Sequence, residues 1–560
     1  MEASWRIAGH VETAKYNWQA CSKYRVHVSS EMLVLFTSAF LLITANLSFW
    51  KRLSIGLGEF SQAWPSYIAV AGFLLAFLSL FLALAPRILI KPLLSLIFII
   101  CAFSAYFMDS YGAVIDRHAL QSVMESDARE SAEWLSSAML WPLLMFGFLP
   151  VTLLWKFVIV KPRNLRTAIK RKALFLSVCA GTAALILVLN FQTFSSLGRN
   201  HAVLRDLFNP VNVINAVRGQ LKRSFAAEPR VLQTIAPDAQ RRPSFIGIDR
   251  KPLLFVLVIG ESARAASFGL HGYARNTTPE LAKLPLTVFT HVQSCGTNTA
   301  TSVPCMFSNL GRQAYDENTA NSQENVLDVI KRAGFNVLWL DNNTGSKNVA
   351  RRIEEIDLAH GNDANLCAGD SCYDEIMLQA LEARIDTIKV DTVIVLHALG
   401  SHGPAYFQRT PAKFAKFQPI CESVELHHCS RDALINSYDN SIVYTDFVLS
   451  ELIARLNQKT TLDTALLYVS DHGESTGENG FYLHGAPFAI APDEQTQIPM
   501  FLWQSAQFSA RRKLDMHCVS RARIKPTSHD ALFPMLLDLL DVRTGAYIAE
   551  RDPLAACSAN

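Results

Sequence analysis

The sequence predicts an α-helical membrane domain of five spans followed by an exported α/β domain. Three observations lead there: a series of long apolar segments in the first third of the chain, close pairs of cysteines beyond it, and β-rich apolar runs alternating with helical patterns.

Between Glu31 and Gln192 lie five apolar segments, at 32–50, 66–85, 92–109, 139–160 and 173–192. Each approaches the ~20 residues that a helix needs to cross ~30 Å of hydrocarbon. A single segment of this kind suits a buried soluble helix as well; five in series select the membrane. Charged residues make up only 18% of the chain, against ~25% in soluble domains. The net charge of +3 is too small to mark a nucleic-acid partner, and no basic run carries interleaved aromatics.

Sidedness follows from the basic residues. The stretch KPRNLRTAIKRK, Lys161–Lys172, holds six basic residues and no acidic one, and such loops stay in the cytoplasm. Arg87 and Lys91, between the second and third segments, and Lys15, Lys23 and Arg25, before the first, agree with it; Lys51 and Arg52 vote the other way. An inside start and five crossings export everything after about residue 193. The opening MEASWRIAGHVETAK lacks the apolar core of a cleaved signal peptide.

Of the 11 cysteines, six fall in the exported portion as close pairs. Their spacings match no zinc-finger pattern, and an oxidising compartment favours disulfides, so three local bridges are expected: Cys295–Cys305, Cys367–Cys372 and Cys421–Cys429. Cys21, Cys101 and Cys179 are expected to stay reduced. Cys518 and Cys557 can pair, but nothing in the sequence decides it.

The linear plan is a cytoplasmic segment at 1–31, the five-helix domain at 32–192, a bridge lying near the membrane surface at 193–245, and a catalytic domain at 246–560. In the last, the runs LLFVLVIGES (253–262), FNVLWLDNN (335–343), DTVIVLHALGSHG (391–403) and TALLYVSDHGES (464–475) each end abruptly in polar residues. Apolar runs this continuous suit strands covered on both faces, as in a parallel sheet. SQENVLDVIKRAG and SYDNSIVYTDFVLSELIARLNQK supply helices between them, and ligands of such folds gather beyond the carboxyl ends of the strands. Those ends carry Glu261, Asn343, His402, Asp471, His472 and Glu474.

DHG alone reads as a turn with a solvated Asp, and GES alone as a helix-capping carboxylate. Together at neighbouring strand ends they make an oxygen- and nitrogen-rich site suited to zinc. The loop SCGTNTATSVPC, residues 294–305, then offers a nucleophile, since a metal lowers the pKa of a coordinated hydroxyl. Pro304 suits the first turn of a helix through CMFSNLG, whose amino terminus favours anions. That pairing points to phosphoryl or sulfuryl transfer. The residues alone do not choose among Thr297, Thr299, Thr301 and Ser302.

SCGTNTATSVPCMFS, VIGESAR, DNNTGSK, GSHGPAY and SDHGESTGENGFYLHGAP together resemble the phosphoethanolamine transferases of Gram-negative inner membranes, in the lipid A-modifying branch that includes the mobile colistin-resistance enzymes. The resemblance runs from the first span to about residue 545 and implies five spans followed by an alkaline phosphatase-like (sulfatase-like) periplasmic domain. It implies Thr299 as nucleophile, and zinc ligands Glu261, Asp471, His472 and the Thr299 oxygen. His402 and His484 match residues for proton transfer, the substrate phosphate or a second zinc, and Asn343 and Lys347 match phosphate contacts. The segment YGAVIDRHALQSVMESDARE resembles the family's substrate entrance, with Ser122 where Asn is expected, followed by Ser126 and Glu130. The roughly 25 residues before the first span have no counterpart in the family.

The activity so implied is zinc-dependent transfer of phosphoethanolamine from phosphatidylethanolamine to lipid A, through an intermediate on Thr299 of a monomeric chain, with resistance to polymyxin as a consequence. Core heptose, Kdo or periplasmic glucan are alternative acceptors. Glycerol-phosphate transfer is a rival reaction, and a catalytically silent lipid-binding membrane protein a rival class.

Overall fold

The computed structural model describes residues 25–125, 136–160, 164–226, 231–242, 250–361, 363–368 and 371–557. The chain divides into two compact units, Met1–Ala105 with Leu140–Leu204 and Tyr106–Met139 with Arg205–Asn560.

Among the described residues, Phe60–Ala83, Arg87–Tyr111, Ser137–Phe157 and Leu165–Leu189 are long and apolar enough to cross a membrane. Leu165–Leu189 exposes Leu174, Val178, Leu185 and Val188, the outer surface that a lipid-facing helix requires. The first apolar segment departs from the expected straight span. It forms two helices, Ser30–Thr44 and Leu47–Leu57, bent by 68°. At the break Asn46 donates from Nδ2 to Leu41 O at 2.8 Å, and Trp50 Nε1 donates to Leu42 O at 2.8 Å. Leu41 O also keeps its helical donor, Ala45 N at 3.0 Å, so both carbonyls at the break have partners, as hydrocarbon surroundings demand. Val26–Val28 pairs in parallel with Val158–Val160, a ladder the apolar pattern does not announce.

The larger unit is built on seven strands, β1 (Leu253–Gly260), β2 (Thr287–Phe289), β3 (Asn336–Asp341), β4 (Glu354–Asp357), β5 (Thr392–His397), β6 (Asp463–Ser470) and β7 (Met500–Gln504), in the spatial order β2-β7-β6-β1-β5-β3-β4. From β6 to β4 all pairs are parallel, while β7 is antiparallel to both its neighbours. The expected parallel sheet is therefore the centre of a mixed one. The helices that shape the site are α1 (Arg117–Glu125), α2 (Thr299–Phe307), α3 (Val326–Arg332), α4 (Arg431–Gln458) and α5 (Leu532–Leu539).

Every residue of β1 and β6 is buried. Leu253, Phe255, Leu257 and Ile259 pack with Val303 and Phe307 of α2, Ile330 of α3 and Leu536 of α5. Leu254, Val256 and Val258, on the opposite face by strand alternation, are equally buried, and α4 packs across β6. The register sets Gly260 opposite Ser470, and His397 opposite both Ile259 and Asp341. The polar residues that end these strands consequently emerge side by side.

Candidate active site

Glu261 and Asp471 each follow a member of the Gly260–Ser470 pair, which turns a long sequence separation into adjacency. Asp471 N donates to Gly260 O at 2.8 Å and Ser401 N to Glu261 O at 3.0 Å, so the three strand ends are tied together. His472 Nε2 lies 3.3 Å from Glu261 Oε1 and 3.3 Å from Asp471 Oδ2. All three side chains are fully buried, and one ligand atom from each falls within 4.8 Å of the others. Ser262 braces both carboxylates from a left-handed conformation (φ 56°): its N–H donates to Asp471 Oδ1 at 3.2 Å and its hydroxyl to Glu261 Oε1 at 2.7 Å. Gly473 is required in DHG because a Cβ there would stand 2.0 Å from Glu494 O.

The donor set fits a divalent cation. His472 Nδ1 lies 2.9 Å from Gly473 O and so carries the ring hydrogen, which leaves the Nε2 lone pair facing Glu261 and Asp471. Burial takes the His472 pKa down to about 3, keeping the ring neutral. Burial, and then the Glu261 charge, push Asp471 well above the usual carboxylate range, whereas Glu261, against its own burial, is held low by His472, His402 and His484. Asp471 Oδ2 is buried with no hydrogen-bond partner. Lone pairs converging in a dry pocket are costly unless a cation meets them, and two carboxylate oxygens, one imidazole and a hydroxyl are a zinc-type set.

The hydroxyl comes from Thr299. Its Oγ1 donates to Glu261 Oε2 at 2.9 Å and lies 3.3 Å from His472 Nε2. Unlike the carboxylates it is partly exposed. Helix α2 begins at Thr299 rather than at Pro304 as expected: Asn298 caps it by accepting from Thr301 N at 2.9 Å, and the proline falls in the second turn. The hydroxyl loop is thus itself the helix amino terminus.

The other hydroxyls hold the loop. Thr297 donates to Ala486 O at 2.7 Å and Ser302 to Asp471 O at 2.5 Å, while Thr301 Oγ1 lies 3.4 Å from His118 Nδ1 on α1. Buried His529 accepts from Cys295 N at Nδ1 and sits 2.9 Å from Ser470 O at Nε2, joining the loop to β6. His529 is a lone histidine with no motif around it, and His118, although it lies in the segment YGAVIDRHALQSVMESDARE, carries no sequence signal of its own. The structure contains the disulfides Cys295–Cys305, Cys367–Cys372, Cys421–Cys429 and Cys518–Cys557; Cys101 and Cys179 are free, and Cys21 lies outside the described residues.

A second histidine layer lies against the first. The His484 ring is 4.6 Å from His472 and 5.3 Å from His402, centre to centre. His484 Nδ1 is 2.9 Å from Glu474 Oε2, and Tyr406 Oη donates to Glu474 Oε1 at 2.5 Å. Glu474 thereby fixes the hydrogen on Nδ1, so the ring lone pair is on Nε2.

Asn343 Nδ2 donates to Glu261 Oε2 and Ala398 O, both at 2.9 Å, and lies 3.3 Å from His397 Nε2. His397 Nδ1 in turn is 2.8 Å from Asp341 Oδ2. Lys347 stands in the same loop at φ 50° with its amine on Thr344 O at 3.0 Å; no described hydrogen bond brings it to Thr299. Ser122 lies one turn after His118 on α1, whose Gln121 donates to Glu317 Oε2 at 3.1 Å. Ser126 and Glu130 lie outside the described residues.

A buried carboxylate and imidazole cluster beside a hydroxylated helix start, at the carboxyl ends of a mixed α/β sheet, defines the class: residues 254–542 match the sulfatase family. Residues 73–225 match the family described as phosphoethanolamine transferase EptA/EptB. The chain belongs to the phosphoethanolamine transferases of the EptA and Mcr type. It is 40% identical to phosphoethanolamine transferase EptA of Escherichia coli K12 over 83% of this chain and 85% of that one. It is 38% identical to phosphatidylethanolamine transferase Mcr-1 of Escherichia coli over 93% and 96%. The solved integral membrane lipooligosaccharide phosphoethanolamine transferase A of Neisseria meningitidis superposes with a TM-score of 0.91 at 33% identity, over 96% of this chain and all of that one.

Proposed function

We propose that this chain is a Gram-negative inner-membrane enzyme that moves phosphoethanolamine from phosphatidylethanolamine to lipid A through a covalent intermediate on Thr299. The observation that carries the reading is the Thr299 hydroxyl, partly exposed at the start of α2 and 2.9 Å from Glu261 within a buried metal-type cluster. The relatives' names support it: phosphatidylethanolamine stands in the name of Mcr-1 and lipooligosaccharide in that of the solved Neisseria meningitidis protein. The domain plan proposed is that of the sequence, 1–31, 32–192, 193–245 and 246–560, whereas the compact units group 106–139 with 205–560.

In the first step Thr299 Oγ1 attacks phosphorus and gives up its proton to His484 Nε2, which passes it to the diacylglycerol oxygen as the bond from phosphorus to that oxygen breaks. In the second step the acceptor oxygen gives its proton to His484 Nε2 and bonds phosphorus as the Thr299 bond breaks, and His484 passes the proton to the Thr299 oxygen; Glu261 stays ionised throughout. The amino-terminal N–H groups of α2 face the charge that spreads over the phosphoryl oxygens. Zinc bound by Glu261, Asp471 and His472 supplies a positive charge that favours the ionised hydroxyl. Ser122, Ser126, Glu130, Asn343 and Lys347 are assigned to substrate binding, Asn343 also bracing Glu261, and His402 is assigned with His484 to the catalytic pair.

Adding a primary amine to a lipid A phosphate weakens attraction for cationic peptides, so polymyxin resistance follows. The test is mass spectrometry of the Thr299 peptide after incubation with phosphatidylethanolamine, together with lipid A and core sugar from cells with and without the chain. Phosphoethanolamine on Thr299 and on lipid A is expected. A glycerol-phosphate adduct, or modification of core sugar alone, would overturn the reading.

A further inference from the structure

The membrane unit holds a cavity of about 350 Å³ at the Arg87 end of the span Arg87–Tyr111. Arg87 and Lys91 lie in the connection that its basic residues assign to the cytoplasmic side. Arg25, Arg87, Lys91 and Trp155 line it, together with the strand Val158–Val160. No carboxylate does, among the described residues. Glu31 lies in a smaller neighbouring cavity, which Arg87 also lines, alongside Lys172.

The cations are held but not used up. Arg87 Nη2 donates to Val160 O at 2.9 Å and Lys91 Nζ to Val158 O at 2.5 Å. A guanidinium has five N–H donors and an ammonium three, so both keep donors for a ligand. Lys91 Nζ sits 5.3 Å from the Trp155 ring, whose indole N–H donates to Ser95 at 2.9 Å. The span starts here, so its positive dipole end adds to the field.

We propose that this cavity binds the headgroup of an anionic phospholipid of the cytoplasmic leaflet, a phosphodiester without an amine, such as phosphatidylglycerol or cardiolipin. Three cations receive the phosphate oxygens, the tryptophan marks the level of the headgroups, and acyl chains continue along the apolar outer surface of the spans. A zwitterionic headgroup is disfavoured because its ammonium would meet three cations and no acid. The site is therefore separate from donor binding at Thr299, and it places the amine-free lipids as cofactors of the membrane unit rather than substrates.

Native mass spectrometry of the full-length chain in detergent tests this, titrating phosphatidylglycerol, cardiolipin, phosphatidylethanolamine and, separately, inorganic phosphate. One anionic lipid is expected to be retained, with R25Q and K91Q each weakening it about fivefold and K170Q, which removes a charge outside the cavity, leaving it unchanged. R25Q breaks no described hydrogen bond, which separates lost binding from lost structure. The proposal is overturned if R25Q and K91Q both bind anionic lipid as the parent does, if K170Q weakens it equally, or if the R25Q-sensitive binding is as strong for phosphatidylethanolamine. Displacement of the lipid by an equal concentration of inorganic phosphate would also overturn it, in favour of a small-anion site.

Discussion

Asn343 donates to the same oxygen of Glu261, Oε2 at 2.9 Å, that accepts the Thr299 hydroxyl at 2.9 Å. Behind it stand His397 and Asp341, whose carboxylate also accepts from Trp339 Nε1 at 2.8 Å and from the Asn343 and Gly345 N–H groups at 2.9 Å. A fully satisfied carboxylate thus orients an imidazole, which helps orient an amide, which orients the proposed metal ligand Glu261. Replacing Asn343 with Ala is expected to weaken zinc about 10- to 100-fold, and His397→Leu to do so less, as read by chelator competition. Unchanged zinc affinity in both would show that Asn343 serves substrate alone.

Metal removal is expected to abolish transfer and lower the melting temperature, with zinc restoring both. An ion held at 1,000 times its dissociation constant stabilises by about 4 kcal/mol. Asp471→Asn, which keeps the shape but loses the charge at the unpartnered Oδ2, is expected to purify folded and without metal. Elemental analysis beside circular dichroism reads both properties.

The hydroxyls of the 294–305 loop should separate into two kinds. Thr299→Ala is expected to reduce transfer to background with an unchanged melting temperature, because its bond is to Glu261 in the reacting centre. Thr297→Val and Ser302→Ala are expected to cost stability, about 1–2 kcal/mol each, since each removes a hydroxyl bond to a buried carbonyl. Thermal denaturation alongside a fluorescent-lipid transfer assay distinguishes the classes.

Acid should loosen the same loop through His529. Burial lowers its folded pKa from 6.5 to about 4, so its contribution is fully present above pH 6.5 and is lost as the pH falls toward 4. The displacement corresponds to about 3 kcal/mol, and in His529→Asn this part of the pH dependence should be missing. Parallel melting curves of parent and variant at pH 7.5 and 4.5 would show the gap between them narrowing in acid; a constant gap would refute it.

The four disulfides are expected to differ in weight. Cys518–Cys557 spans 39 residues and Cys367–Cys372 only 5, for which loop-closure entropy gives about 4 and about 2 kcal/mol. Double alanine variants compared by thermal melting should fall in that order.

Most of the architecture was legible because it is written in local pattern. Length and apolarity mark the spans, and the four long apolar runs become β1, β3, β5 and β6 with ends within a few residues of expectation. The bend at Asn46 was not legible, since hydropathy averages over the one polar side chain that makes it possible. Nor were β2 and β7, whose three and five residues carry too little periodicity to mark as strands. Pro304 drew the expected helix start away from Asn298, although the asparagine forms the cap.

By itself the sequence determined which residue types stand at the strand ends and that an exported, disulfide-bearing domain follows the membrane spans. Only the tertiary structure decided their register: Gly260 opposite Ser470 makes Glu261 and Asp471 neighbours, and His529 and Asn343 then fix Thr299 and Glu261 in place. The reason is that spacing along a chain is a local property, whereas meeting around one point depends on strand order and pairing, which many distant contacts settle together.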